Sequence, residues 1–253
     1  EALDDYVTYL DAVAPRTSYR DIRQRRPAHI ATWKDGQLRE RRYWRLNFEP
    51  EERSEADWCE ALDACLEETL SKYMISDVPL GAFLSGGLDS GAIVSYMTRE
   101  SGTPKTFTVG FGAEGGVYDE SREAREAAQF FGTKHHTLTV SAAAAELMPT
   151  IVRPFVEPFG NPTALLTYLL SECVREHVTV ILTGDGGDEC FGGYPRYLGA
   201  RYAQSYDKVP WFLRRYLVNP LVQCLPESTR GFHLLRRLRS FSAGSLLNPV
   251  DRY

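Results

Sequence analysis

The chain reads as an α/β protein built on a parallel sheet with helices on both faces. Two apolar runs, Leu80 to Leu84 and Val178 to Leu182, each end in a glycine-rich turn that leads toward a helix-like segment. Between residues 54 and 182, short β-rich runs alternate with segments of helical period. Strands that are apolar along their whole length are buried on both sides, and strands alternating with helices call for a parallel sheet covered above and below. The 253 residues are 43% hydrophobic and 12% aromatic, ample for a packed core.

The elements follow in order. Leu3 to Leu10 is helix-like, and turn chemistry at Pro15 and Pro27 precedes a hairpin over Trp33 to Leu38, because Asp35-Gly36 suits a tight primed turn. From Ser54 to Met74, Trp58, Leu62, Cys65, Leu66, Leu70 and Tyr73 recur three or four apart, the mark of an amphipathic helix that packs on the sheet. The Leu80 strand is followed by a helix to Glu100. A Thr106 to Phe111 strand leads to a helix over Glu120 to Phe131, and a His136 to Val140 strand to a helix from Ala142. A helix from Thr163 to Glu176, started by Pro162, precedes the Val178 strand. Tyr197 to Tyr253 reads as several helices. The domain division is a linking segment over 1–50 and a main domain over 51–253.

The chemistry lies in the two turns. In Ser85-Gly86-Gly87-Leu88-Asp89-Ser90, the two glycines are expected to take backbone angles closed to other residues, turning successive amides inward as a concave set of donors. The helix start behind them adds unpaired amides and partial positive charge, so the turn reads as a phosphate site. Ser85 and Ser90 supply hydroxyls, and Asp89 supplies an oxygen suited to magnesium bridging phosphates. No Walker sequence occurs in the chain. The second turn, Thr183-Gly184-Asp185-Gly186-Gly187-Asp188-Glu189, crowds three carboxylates that repel one another unless a cation or a proton sits between them. It follows an apolar strand, where open α/β sheets bind ligands.

These two blocks, with Tyr118-Asp119-Glu120 and the Phe191-Gly192-Gly193-Tyr194 that follows the second turn, resemble the synthetase half of glutamine-dependent asparagine synthetases of the B type. The shared order runs from about Pro79 to Tyr197. The first block alone is similar to the wider ATP pyrophosphatase group, whose fold is the Rossmann-like PP-loop sheet. The resemblance implies ATP and Mg2+ as cofactors, with aspartate amidated through an acyl-adenylate by ammonia. It implies that Phe83, Val109, Thr183 and Gly184 line the adenine and that Ser85, Gly86, Gly87, Asp89 and Ser90 hold the phosphates. Asp89 and Asp188 are implied as the magnesium ligands, and Asp185 as the base that takes the proton from nitrogen, at a position where relatives often carry Glu. Glu157 to Thr163 resembles a segment bordering the aspartate pocket; a Pro-rich turn that only starts the helix is the other reading. Asp119 and Glu120 either touch substrate or orient the helix after them. His135 and His136, in a stretch similar to the family's, point to opposite faces of a strand and are expected to be structural.

The resemblance also bears on partners. Residues 1–50 are similar to the segment joining a glutaminase half to the synthetase half. That glutaminase would supply the ammonia, and its amino-terminal cysteine nucleophile is not found before Cys59. At the other end, Gly231-Phe232 does not match the family's Lys-containing Gly-Phe segment, so a piece of a larger polypeptide is expected. The net charge of −5 argues against nucleic acid. No apolar run reaches the roughly 20 residues of a membrane span and no leader pattern opens the chain, so a cytoplasmic protein is expected. Cys59, Cys65, Cys173, Cys190 and Cys224 lack metal or disulfide spacing and are expected to be reduced and mostly buried. The oligomeric state, a homodimer included, is open. So is the acceptor: relatives of this type also close β-lactam rings or cyclise peptides, often with Tyr at the position of Asp185, and a non-catalytic nucleotide-binding paralogue is a third reading.

Overall fold

A computed structural model describes residues 1–110, 119–139, 146–161, 163–225 and 233–248. Phe111, Tyr118, Val140, the start of the helix expected from Ala142, Pro162 and Gly231-Phe232 fall outside them. The chain divides into two compact units, Glu1–Thr183 and Gly184–Tyr253.

In the first unit, α1 (Ala2–Tyr9) is followed by a hairpin of β1 (His29–Lys34) and β2 (Gln37–Arg42). Lys34 pairs with Gln37 across a two-residue turn in which Asp35 and Gly36 both have positive φ, the primed turn expected from Asp-Gly. Then come α2 (Glu55–Tyr73), β3 (Leu80–Phe83), α3 (Leu88–Ser101), β4 (Lys105–Gly110), α4 (Ser121–Phe131), β5 (Lys134–Thr139), the short α5 (Met148–Val152), α6 (Thr163–Val174) and β6 (Val180–Leu182). Ser54 caps α2 by accepting from the Asp57 amide, and Asp57 returns the bond to the Ser54 amide, a reciprocal box that fixes where the helix begins.

β3 to β6 form a four-stranded parallel sheet in the order β5-β4-β3-β6, so β3, which feeds the glycine turn, is central. Side chains alternate between its faces. On one face Ala82, Leu84, Val94, Met97, Leu70 and Ala128 pack together under α2, α3 and α4. On the other, Phe107, Val174 and Val178 pack with Phe83, Leu138 and Ile181. Gly81 leaves room on the second face, where a Cβ would lie 2.9 Å from Phe107 Cε2 and 3.0 Å from the Lys105 carbonyl oxygen. Asp63 of α2 accepts hydrogen bonds from Tyr96 (2.6 Å) and Arg99 (3.1 Å) of α3, and these donors hold its carboxyl below the usual range.

The histidine pair divides as the alternation requires. His135 Nδ1 lies 3.0 Å from Thr106 Oγ1 on the first face, whereas His136 clusters on the second with Phe107 (5.2 Å) and His177 (4.6 Å), which are themselves 5.7 Å apart. The second unit is helical: α7 (Gly187–Phe191), α8 (Pro195–Tyr206), α9 (Trp211–Leu213), a π turn over Arg214–Val218, α10 (Asn219–Gln223) and α11 (His233–Gly244). Its buried Arg214 donates to Asp207 (2.6 Å) and to the Ser245 carbonyl (2.9 Å). The cysteines are unpaired, but they are not mostly buried: Cys59, Cys65, Cys190 and Cys224 are exposed and Cys173 half-buried. Cys59 and Cys65 lie along α2, whose only buried residue is Leu70, so their apolar character did not place them in the core. No helix among the described residues is long and apolar enough to cross a membrane.

Burial first, and then the charges of His177, Lys134 and Lys105, hold the His136 imidazole below its ordinary value of 6.5. The unfolded chain therefore takes the proton first. The stability that neutral His136 contributes is complete above about pH 6.5 and is lost as the pH falls below it toward the folded value. His136→Phe, which keeps a ring on Phe107, is expected to reduce the loss of stability between pH 7.5 and pH 5.5, read as urea midpoints at the two pH values; an unchanged difference counts against this assignment.

Candidate active site

The first unit carries the turn between β3 and α3. Leu84, 2% exposed, extends the β3–β4 ladder by donating to the Phe107 carbonyl at 2.8 Å. The chain then turns around two hydroxyls. The Ser85 amide donates to Ser90 Oγ (3.1 Å), the Ser85 and Ser90 hydroxyls share a bond of 2.9 Å, and the Gly87 amide donates to Ser85 Oγ (3.1 Å). Ser90 is buried and so serves as the post around which the loop is wound.

The reason for the glycines differs from the expected one. Neither Gly86 nor Gly87 has positive φ; Gly87 sits at −80°, 160°, open to any residue. What demands glycine is space. A Cβ on Gly86 would come within 2.4 Å of Glu123 Cβ on α4, and one on Gly87 within 3.1 Å of Ser85 Oγ. The loop thus lies directly against the neighbouring helix. Gly87 is the N-cap of α3 and no side chain caps the helix, so the amides of its first turn face outward as donors for an anion. Asp89, in that turn, is exposed and has no hydrogen bond or ion pair with the described residues. Phe83 closes β3 and Val109 lies one residue from the end of β4, both half-buried at the carboxyl end of the sheet. Thr183 follows β6 at the same end and is also half-buried.

Asp119 makes the contact expected of a residue that orients the helix after it. Its Oδ1 accepts from the Ser121 amide (2.9 Å) at the start of α4, the helix that carries Glu123 to Gly86.

The second unit opens with the acidic turn. Gly186 is left-handed (φ 94°), the Gly187 amide reaches back to the Gly184 carbonyl (3.3 Å), and α7 begins. The carboxylates separate instead of crowding. Glu189 accepts from Tyr194 Oη (2.7 Å), which holds its carboxyl below the usual range. Asp188 is half-buried against Gly193, where a Cβ would collide with its Oδ1, and the Gly193 amide donates to the Asp188 carbonyl at 3.0 Å. Asp185 is exposed. A helical turn therefore gives Glu189 and Asp188 separate surroundings. Among the described residues no group of three or more His, Cys, Asp or Glu gathers as a metal site. That fits magnesium only in its common mode, one or two carboxylates completed by phosphate oxygens and water.

A parallel sheet whose central strand delivers a glycine and hydroxyl turn to an uncapped helix defines an α/β protein of the kind that binds ligands at the carboxyl end of its strands. The asparagine synthase family profile matches residues 61–246, and the chain belongs to that family. It is 32% identical over 239 residues to asparagine synthetase (glutamine-hydrolysing) 1 of Bacillus subtilis, covering 94% of this chain and 37% of that protein. A Mycobacterium tuberculosis protein provisionally named an asparagine synthetase is 38% identical over 177 residues, 70% of this chain and 27% of the relative. A Gibberella zeae relative named amidase chry2 is 28% identical over 202 residues, 72% of this chain and 30% of the relative. The chain thus spans about a third of the length of these curated relatives. An NAD+ synthetase crystal structure from Burkholderia pseudomallei reaches a TM-score of only 0.27 at 15% identity, over 79% of this chain and 88% of that one, too low to carry an argument.

Gly86→Ala is expected to destabilise the chain by about 1–3 kcal/mol, because α4 must move to admit the methyl group. Gly87→Ala, which meets only a hydroxyl that can turn, is expected to cost less. Urea denaturation of the two variants reads the difference, and equal costs would discount the loop–helix contact.

Proposed function

We propose that the chain is the synthetase part of an asparagine synthetase, converting aspartate to asparagine with ATP and ammonia through β-aspartyl-AMP, and releasing AMP and pyrophosphate. The observation that carries the reading is the uncapped α3 start behind the Ser85–Ser90 turn at the end of the central strand, in a chain of the asparagine synthase family. The turn and the first α3 amides hold the phosphates of ATP, and Phe83, Val109, Thr183 and Gly184 line the adenine. The aspartate side-chain oxygen attacks the α-phosphorus. The bond to the β-phosphate oxygen breaks, and pyrophosphate departs with the electron pair. Ammonia then adds to the acyl carbon, Asp185 takes a proton from the nitrogen, and AMP leaves with the carbon–oxygen bond electrons.

Asp89 and Asp188 are the proposed magnesium ligands; the ion supplies neutralisation of phosphate charge. Asp89 suits that role because its carboxylate is exposed in the first turn of α3 and engaged by no described residue. Residues 1–50 are proposed to lead from a glutaminase that supplies the ammonia, with 51–253 as the synthetase domain. The segment from Glu157 to Thr163 is proposed to border the acceptor. A second reading keeps the adenylation and changes the acceptor: one relative is named an amidase, not a synthetase, and family membership leaves the carboxylate open.

Pyrophosphate release from Mg-ATP is expected to require aspartate and to fall at least about a hundredfold in Asp89→Ala, with asparagine formed only when ammonium is present. Release driven by other carboxylates but not by aspartate would select the second reading, and absence of any nucleotide binding would end both.

A further inference from the structure

The turn before α6 is held by a segment far away in sequence. Glu157 is half-buried, and both of its carboxylate oxygens are engaged: Oε2 accepts from the Ser18 amide (3.2 Å) and Oε1 from Gln24 Nε2 (3.3 Å). Alongside, Tyr19 Oη donates to the Val156 carbonyl (2.8 Å) and the Gly160 amide to the Leu10 carbonyl (3.1 Å). The donors come from a rigid source. Buried Thr17 closes the 17–22 turn by donating to the Ile22 carbonyl (2.7 Å), the Gln24 amide bonds the Pro15 carbonyl (3.1 Å), and Arg16 pairs with Asp5 of α1.

On the receiving side, Val156 has φ 63°, a left-handed backbone that a β-branched residue adopts only when its surroundings enforce it. A Cβ on Gly160 would meet Leu10 Cβ at 2.8 Å, so the two segments touch without room for a side chain. Past the turn, Asn161 accepts from the Thr163 amide (3.0 Å) and starts α6, which runs toward β6. The position of the 155–160 turn is therefore set by residues 10–24 and handed on to α6.

We infer that Glu157 is a positioning residue: its carboxylate clasps the 17–24 segment to the 155–160 turn, and this clasp sets the affinity for the acceptor carboxylate without contact between Glu157 and the acceptor. The affinity part rests on the proposed function, in which this turn borders the acceptor. The chemistry favours the indirect role. A glutamate facing the acceptor's carboxylates repels them, and the two oxygens of Glu157 each accept from the 17–24 segment, which aims the group at residues 18 and 24.

The test exchanges the partners. Gln24→Glu sets two carboxylates against each other, and is expected to speed amide hydrogen exchange in 155–160 by about tenfold and to raise the aspartate KM by about fivefold or more with the ATP KM unchanged. The double variant Gln24→Glu with Glu157→Gln restores a donor and an acceptor, and should return both readings to within about twofold of the parent. Glu157→Gln alone, which keeps one accepting oxygen for Ser18, should fall between. Exchange that does not respond to Gln24→Glu overturns the clasp. A double variant that recovers exchange but not the aspartate KM overturns the indirect role and assigns Glu157 to the acceptor itself. If the parent chain releases no pyrophosphate with aspartate, the proposed function fails and exchange alone decides the clasp.

Discussion

The approach of β4 to β3 at Gly81 is the constraint on which the first unit depends. In a parallel sheet covered on both faces, each strand must bury side chains above and below. The central strand carries Ala82 and Leu84 to one side and Phe83 to the other. Phe107, fully buried, needs the space beside Gly81 to lie flat under β3, where it gathers Val174 and Val178 into the second core and gives His136 and His177 a surface to stack on. With that ring in place β3 is fixed from below, and the turn that leaves its carboxyl end has a rigid base. A loop whose value lies in preorganised amides can be no more precise than the strand it starts from.

The turn itself is shaped by hydroxyls and proximity more than by unusual backbone angles. Ser85 and Ser90 occupy the amides that would otherwise compete for a ligand's oxygens, which leaves the helix start as the outward donor set. The acidic turn uses the opposite device. A left-handed glycine begins a short helix that sends Glu189 to Tyr194 and leaves Asp185 outward, so adjacent acids in sequence acquire separate surroundings.

Much of this was legible in the sequence because it is local. The Asp35-Gly36 turn, the extent of α2 from its Ser54 start, and the β3 and β6 runs with their glycine turns all follow from residues within a few positions of one another. Of the expected apolar stripe on α2, however, only Leu66 and Leu70 reach the core, while Trp58, Leu62, Cys65 and Tyr73 are exposed. What was not legible depends on partners far along the chain. Nothing near Gly86 announces Glu123, nothing near Glu157 announces Ser18 and Gln24 at separations of 139 and 133 residues, and the exposure of Cys59 and Cys65 depends on which face of α2 meets the core. The adenine and base roles came from resemblance, whereas the phosphate and magnesium readings were argued from the glycines, hydroxyls and carboxylates themselves.

The contact between Gly86 and α4 is made by the Cβ of Glu123, an atom common to every amino acid but glycine. Its two ends therefore carry unequal burdens over evolutionary time. Position 123 can drift among residues of any charge or length and still present the same wall to the loop, while position 86 has a single occupant that fits. Across related sequences one physical contact would leave one invariant column and one variable column, and methods that find contacts by correlated change would pass over it.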